Sequence, residues 1–293
     1  MSAHTSFRIG GPADLFAVPD TAGGAAAAIA QAATDGVPVF LLGGGTNILV
    51  SDRGIRGLVV DLGKLHGAEE AGGLLTAMCG APISAVSELA LSRGLAGLEF
   101  CYALPGSVGG AVWMNARCYE RQVSDVLAFV DVIDPGQPAD AGGEAPVQRL
   151  PILAGQWGYK TSPLQSANHL ILRAGFRLEP GKPARIAEQM KDHRADRERK
   201  GHFLYPCAGS VFKNDRSFGA PTGRLIDSLG LKGRRIGGAQ ISDFHANIIV
   251  NLGGASAADV LGLIELAESE VERRLGLSLE REVLLAGEWE KPG

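Results

Sequence analysis

The chain has 293 residues, 45% hydrophobic and 20% charged, proportions that fit a folded globular protein and exclude a disordered one. Lys and Arg number 28 against 32 Asp and Glu, a net charge of −4, so no basic excess points to a nucleic-acid backbone. The length admits one large domain or two to three smaller ones, and the 41 glycines, about twice the usual ~7% share, imply tight turns or backbone pressed against a ligand.

Asp20 and Thr21 are good N-cap types ahead of an Ala-rich stretch, which predicts a helix over 22–33 ending at Gly36. Val39–Leu42, Ile48–Val50 and 58–60 read as strands, and the glycine run between the first two leaves little room for a helix. Helical periodicity returns over 82–92, with Ile83, Val86, Leu89 and Ala90 on one face. A second glycine cluster, Pro105-Gly106-Ser107-Val108-Gly109-Gly110, follows. Strands are predicted over 126–133 and 170–178, and the Pro-, Gly- and Ala-rich stretch 134–146 between them as a surface loop. Pro183 opens a charged, mostly solvated helix to about Lys200, where a domain boundary is placed. The last helix begins near Ser256, with Asp259 completing a capping-box-like pair, and stops at Gly276. A final strand over 277–285 closes the chain, and on it Glu280 and Glu282 would share one solvated face.

Chemistry is concentrated in the glycine loops. Glycine lets several N–H groups converge on a phosphate because no Cβ blocks the approach. Gly45 is followed by Thr46-Asn47, which is not a Walker loop, and by Ile48 and a strand, which is not a dinucleotide fingerprint opening a helix. A tight hairpin without a ligand explains one such loop; two uncharged loops favour a large dinucleotide lying across both. Ser210 and Lys213 form an S-x-x-K pair, but the following residues read as a turn and the companion motifs of the penicillin-binding enzymes are missing. The six histidines and four cysteines show no metal-ligand spacing, so no metal is expected, and His245 reads first as a hydrogen-bonded strand-start residue. Cys79, Cys101, Cys118 and Cys207 form no C-x-x-C pair and read as free thiols of a reducing compartment. No apolar run reaches the ~18 residues of a membrane helix, and Met1–Arg8 carries no apolar signal segment. A cytoplasmic protein without membrane insertion is expected.

Several segments in order resemble one family. They are His4-Thr5-Ser6-Phe7-Arg8-Ile9-Gly10-Gly11-Pro12-Ala13-Asp14, Leu42-Gly43-Gly44-Gly45-Thr46-Asn47-Ile48-Leu49-Val50-Ser51-Asp52, Leu104 through Ala116, Gly158-Tyr159-Lys160-Thr161-Ser162, Gly209 through Asn214, Gly237-Gly238-Ala239-Gln240 and Leu279-Glu280-Arg281-Glu282-Val283. Together they resemble the UDP-N-acetylenolpyruvoylglucosamine reductases, over essentially the whole chain, in the subgroup lacking an extra tyrosine-bearing loop.

The resemblance implies an α+β fold: a two-lobed FAD-binding part of vanillyl-alcohol-oxidase type at 1–180 (lobes about 1–61 and 62–180), then a C-terminal α/β substrate-binding domain at 185–293. Non-covalent FAD would be held by Gly43, Gly44, Gly45, Thr46, Asn47, Ile48 and Leu49 and by Pro105, Gly106, Ser107, Gly109, Gly110, Ala111 and Asn115. NADPH would supply hydride, and the partner would be a UDP-sugar, with Tyr159, Lys213, Asn214, Gln240 and His245 binding it; no nucleic-acid partner is expected. Hydride at C3 of the enolpyruvyl group and a proton at C2 would give UDP-N-acetylmuramate, a step of peptidoglycan precursor synthesis. Negative charge develops at C2 and its carboxylate, which a nearby cation and a proton donor would stabilise. By family position Lys160 is the cation, Ser210 the proton donor and Glu282 its helper. Lys160 departs from the family's usual Arg, and Ala103 and Arg117 stand where glycine is more common. The same scaffold would also serve another FAD-dependent sugar or hydroxy-acid oxidase.

Overall fold

A computed structural model gives the fold and describes residues 1–135, 137, 146–153, 155–166 and 169–289; most of the predicted loop 134–146 lies outside them. Contacts divide the chain into two compact units, each with its own core: a larger one of Leu15–Gly44 and Gly57–Ala195, and a smaller one of Met1–Asp14, Gly45–Arg56 and Asp196–Gly293. The division is not linear along the chain. Two short N-terminal segments belong with the C-terminal residues because Ile48–Val50 pairs in parallel with Leu284–Ala286.

In the larger unit, Thr21 caps the helix Ala22–Thr34 by accepting from Gly24 N–H at 3.0 Å, and the helix buries Ala25, Ala26, Ile29 and Ala32. It leads into the strand Val39–Leu42, which runs parallel to Ile55–Asp61. A five-stranded antiparallel sheet follows, in the order Val147–Pro151, Leu127–Ile133, Leu170–Arg177, Leu74–Met78, Ala68–Ala71. Its edge strand is tied in by Asp131, which is buried and accepts from Arg149 Nε and Arg173 Nε, both at 2.7 Å. The Arg149 hydrogen bond, joined by that of Arg173, holds the Asp131 carboxyl below its ordinary range against the cost of burial. The helices Ile83–Ser92 and Val108–Trp113 complete the unit.

In the smaller unit, the helix Ala257–Leu275 packs on the strands Arg235–Ile236 and Ala239–Ile241 of an antiparallel sheet completed by Ile249–Asn251. Its start is heavily capped. Ser256 and Asp259 form the capping box, and the Asp52 carboxylate accepts from Ala257 and Ala258 N–H at 2.8 and 3.0 Å. The helix ends at Gly276, whose φ of +67° is the left-handed conformation that glycine adopts without strain. Val260, Leu263, Ile264, Ala267 and Val271 are buried as the apolar stripe predicts.

Two expectations are corrected here. Only Leu284–Ala286 of 277–285 is a regular strand. At Phe212–Arg281 there is a single bridge, and the N–H groups of Glu282 and Val283 both reach the Val211 carbonyl, at 2.7 and 3.2 Å. That doubled acceptor is a bulge, and a bulge re-aims side chains. Glu280 and Glu282 therefore do not share a face: the Glu280 side chain is 72% exposed, whereas Glu282 is 8% exposed.

Candidate functional site

The two glycine loops meet inside the larger unit. A Cβ on Gly43 would lie 2.5 Å from Ser107 Oγ, and one on Gly44 would lie 2.8 Å from Gly106 Cα and 3.2 Å from Ser107 N. The Gly44 contacts are with backbone and admit only glycine, whereas a Cβ on Gly43 would displace the Ser107 hydroxyl. Ser107 caps the short helix Val108–Trp113, accepting from Gly110 N–H at 3.3 Å. Val108 and Gly109 spend their N–H groups on the Ala81 and Cys79 carbonyls, at 2.9 and 2.8 Å, which fastens the second loop to the strand before it. A Cβ on Gly109 would also press on Cys79 at 3.0 Å. Burial pushes the Cys79 thiol up to about 12, so it stays a packing group. Two abutting loops without a charged side chain, built where a Cβ would block the approach, fit a dinucleotide whose phosphates are met by backbone N–H groups.

Tyr159 and Lys160 occupy the two corners of a tight turn closed by Gly158 and Thr161, which exchange N–H···O bonds of 3.1 and 3.3 Å. Lys160 has φ +58°, a conformation costing a non-glycine residue roughly 1–2 kcal/mol. Such strain concentrates at functional sites. Lys160 Nζ donates to the Arg117 carbonyl at 3.4 Å, and the Arg117 guanidinium lies 5.4 Å from the centre of the Tyr159 ring while pairing with Glu120 at 2.6 Å. Arg117 itself has an ordinary φ, whereas Ala103 sits at φ +56°, so only the second of those departures occupies a position where glycine is conformationally favoured.

The smaller unit carries the other half of the glycine loop. Gly45 has φ +60°, and a Cβ there would collide with the His4 carbonyl. Ser6 N–H donates to the Gly45 carbonyl at 3.0 Å, and the Ser6 hydroxyl to the Cys207 carbonyl at 2.7 Å. Ile48 and Leu49 are buried in the strand beside Leu284–Ala286, where they anchor the loop. Asn47 Nδ2 donates to the Glu282 carbonyl at 3.0 Å, and Asn47 accepts from Leu284 N–H at 3.0 Å. Thr46 and Asn47 are thus held against the chain that carries Glu282.

Ser210 arrives at the same place from another direction. Its segment runs beside 247–251: Ser210 bridges Ile248, Val211 N–H donates to the Asn247 carbonyl at 2.9 Å, and the buried Asn247 amide clamps Phe212 at both N–H and carbonyl, at 2.9 and 2.8 Å. On its other side Val211 accepts from Glu282. Ser210, buried Glu282 and Asn47 therefore converge on one stretch of backbone. Lys213, the would-be partner of Ser210, instead pairs with Glu280 at 2.6 Å, which removes the S-x-x-K reading.

The remaining candidates are placed separately. Asn214 is exposed and accepts from Thr222 N–H at 2.9 Å, at the start of the helix Thr222–Ser228. Gln240 is buried, with its carbonyl accepting from Arg235 at 2.6 Å and its amide donating to Asp243 at 2.8 Å. His245 is half-buried, and its Nδ1 accepts from Asn247 N–H at 3.2 Å, which leaves the ring proton on Nε2. Its ring is 6.4 Å from that of His202. Burial, then the nearby cations Arg197 and Lys200 and the His245 ring, push His202 down to about 3; burial followed by Lys200 and Lys232 also lowers His245. Both rings are neutral at pH 7.

Arg197 was not anticipated. It is 7% exposed, its Nε has no hydrogen-bond partner among the described residues, and the guanidinium lies 5.8 Å from the Phe203 ring. A buried cation is costly until an anion reaches it. The signal was its spacing: Arg197 continues the buried stripe Ile186 and Met190 of the helix Pro183–Arg199, so this arginine faces inward on a helix read as solvated.

Comparison with known proteins matches this picture. Residues 13–137 match an FAD-binding domain. The fold and the paired glycine loops define a two-part α+β flavoprotein, an FAD-dependent oxidoreductase. Residues 201–286 match the C-terminal domain of UDP-N-acetylenolpyruvoylglucosamine reductase. The chain is 42% identical to that reductase from Rubrobacter xylanophilus over 287 residues, covering 97% of this chain and 93% of that protein. The Treponema pallidum reductase is 37% identical over 326 residues, covering 98% and 92%. The crystal structure of the Thermus caldophilus reductase superposes with a TM-score of 0.77 at 31% identity, covering 97% of this chain and 96% of that one. The chain belongs to the UDP-N-acetylenolpyruvoylglucosamine reductase family. No helix among the described residues is long and apolar enough to cross a membrane.

Proposed function

We propose that the chain reduces the enolpyruvyl group of UDP-N-acetylglucosamine enolpyruvate to UDP-N-acetylmuramate, a cytoplasmic step of peptidoglycan precursor synthesis. The observation that carries the reading is the convergence of the Ser210 segment, the backbone of the buried residue Glu282 and the glycine-loop residue Asn47. FAD, when bound, would supply the redox chemistry that links NADPH to C3 of the enolpyruvyl group. Gly43, Gly44, Gly45, Thr46 and Asn47, with Pro105, Gly106, Ser107, Gly109, Gly110 and Ala111, would hold it through the close backbone approach that the glycines permit, with Ile48, Leu49 and Asn115 fixing the loops; the functional division runs between an FAD-binding part at 1–180 and a substrate-binding part at 185–293.

The chain's own groups then manage charge and proton. As hydride arrives at C3, negative charge builds at C2 and on its carboxylate. Lys160 lowers the energy of that charge, and its ammonium acts as a point charge without a two-donor fork. Ser210 gives its hydroxyl proton to C2. A hydroxyl is a weak acid at neutral pH, so the buried Glu282, whose N–H is bonded to the Val211 carbonyl next to Ser210, is assigned to hold the Ser210 proton in place and relay its replacement. Arg197 receives a phosphate of the UDP group at its unpartnered Nε, while Tyr159, Lys213, Asn214, Gln240 and neutral His245 orient the sugar nucleotide.

The test is steady-state oxidation of NADPH by the FAD-loaded protein. It should depend strictly on the enolpyruvyl sugar and yield a product heavier by two hydrogens. NADPH consumption with no such product overturns the proposal.

A further inference from the structure

The strained turn that presents Lys160 is held by two side chains outside it. Asn115 is fully buried and itself left-handed at φ +44°; its Nδ2 donates to the Gly158 carbonyl at 2.8 Å, and its Oδ1 accepts from Ser124 N–H at 3.0 Å. Gln165 Nε2 donates to the Lys160 carbonyl at 3.1 Å and to the Trp113 carbonyl at 3.1 Å. Ser162 donates to the same Trp113 carbonyl at 2.6 Å. The carbonyls of Gly158 and Lys160 are thus gripped on either side of the turn, and both grips are anchored on residues 113–115, the end of the helix that leaves the second glycine loop.

This arrangement matters because of what lysine is. Its ammonium is a compact charge on a flexible four-carbon stem, so the main chain decides the region the charge can reach. Relaxing Lys160 from φ +58° to an ordinary negative φ would swing the Cα–Cβ bond away and redirect the stem. The turn's two closing bonds join Gly158 and Thr161, while the Lys160 carbonyl itself is met by Gln165 and the Gly158 carbonyl by Asn115. Strained conformations persist where surrounding structure over-determines them, and here two carboxamides belong to that surrounding structure.

We propose that Gln165 and Asn115 are positioning residues for the reduction, fixing the left-handed backbone of Lys160 relative to the flavin segment 105–115. The inference rests on the reading of Lys160 as the cation that meets the developing carboxylate charge.

Gln165→Met keeps the length of the side chain and removes its donors. In FAD-loaded enzyme it should slow sugar-dependent flavin reoxidation by about tenfold, the scale of one lost hydrogen bond, and leave reduction by NADPH within about twofold. The discriminating step is a double-mutant cycle, because residues acting through one another are non-additive. In a Lys160→Ala background the same Gln165→Met change should cost less than about twofold. A second readout needs no turnover: amide exchange at Thr161, which closes the turn, should accelerate about tenfold in Gln165→Met and in Asn115→Asp, with the helix Ala257–Leu275 unaffected. Asn115→Asp keeps the acceptor for Ser124, while an ionised Asp loses the donor to Gly158 and sets a buried carboxylate against that carbonyl. Full multiplicative cost in the Lys160→Ala background, equal slowing of both half-reactions, or unchanged exchange at Thr161 overturns the positioning role. If Lys160→Ala alone leaves sugar-dependent reoxidation unaltered, the reading of Lys160 fails first and the positioning role falls with it.

Discussion

Replacing Gly44 with alanine isolates the contact between the glycine loops. The added Cβ would lie 2.8 Å from Gly106 Cα, 3.2 Å from the Gly106 carbonyl carbon and 3.2 Å from Ser107 N. Ordinary contact between such atoms begins near 3.4 Å, and every atom met is backbone, so no side chain can turn aside. The loops must separate by roughly 0.5–1 Å, an overpacking strain of about 1–3 kcal/mol. If that strain falls on the FAD-holding conformation, FAD binding weakens by about 5- to 150-fold, since 1.4 kcal/mol is a factor of ten. The assay is FAD content after purification together with a fluorescence titration of the stripped protein. Thermal unfolding of the stripped protein, compared with the parent, separates local loss of binding from general damage. Full FAD content with an unchanged dissociation constant would refute both the loop contact and the assignment of these loops to the cofactor.

Three further outcomes are expected. Ser210→Ala should leave reduction by NADPH intact and slow sugar-dependent reoxidation by about 10²- to 10⁴-fold, the usual worth of a positioned proton donor; two fast half-reactions would remove Ser210 from that role. Arg197→Met should raise the KM for the sugar by about 10- to 150-fold, matching a charge-assisted hydrogen bond of roughly 1.5–3 kcal/mol, while the sugar-free protein melts no lower because an unpaired buried cation is gone; an unchanged KM or a large drop in Tm would make Arg197 structural. His202 takes up its proton only near pH 3 when folded but near pH 6.5 when unfolded. The unfolded chain therefore binds more protons between those values, and stability is lost as pH falls from 6.5 toward 3, by at most about 1.4 kcal/mol per pH unit. Urea denaturation between pH 7 and pH 5 should show a shallower loss for His202→Asn than for the parent, and identical slopes would contradict the burial of that ring.

What could be read from the sequence was local. The helices Ala22–Thr34, Ile83–Ser92, Pro183–Arg199 and Ala257–Leu275 each carry their own cap, stop or periodic face, and all are found within one or two residues of expectation. The short helix Val108–Trp113 was not read, although Ser107 is an N-cap type, because three glycines around it mask any helical preference. The strands Ala68–Ala71 and Val147–Pro151 are mostly exposed edges of their sheet, so they lack the apolar alternation that marks a half-buried strand. The bulge at Glu282 depends on Val211, some seventy residues away, and no local pattern encodes such a partner. For the same reason the glycine loop was legible as a break between two strands, while its passage from one compact unit into the other at Gly44–Gly45 was not.

Anaerobic stopped-flow absorbance of the FAD-loaded protein tests the central claim most directly. NADPH should bleach the flavin band, and the UDP-enolpyruvyl sugar should restore it without oxygen. Recovery only on admitting oxygen, or no bleaching by NADPH, would contradict the account.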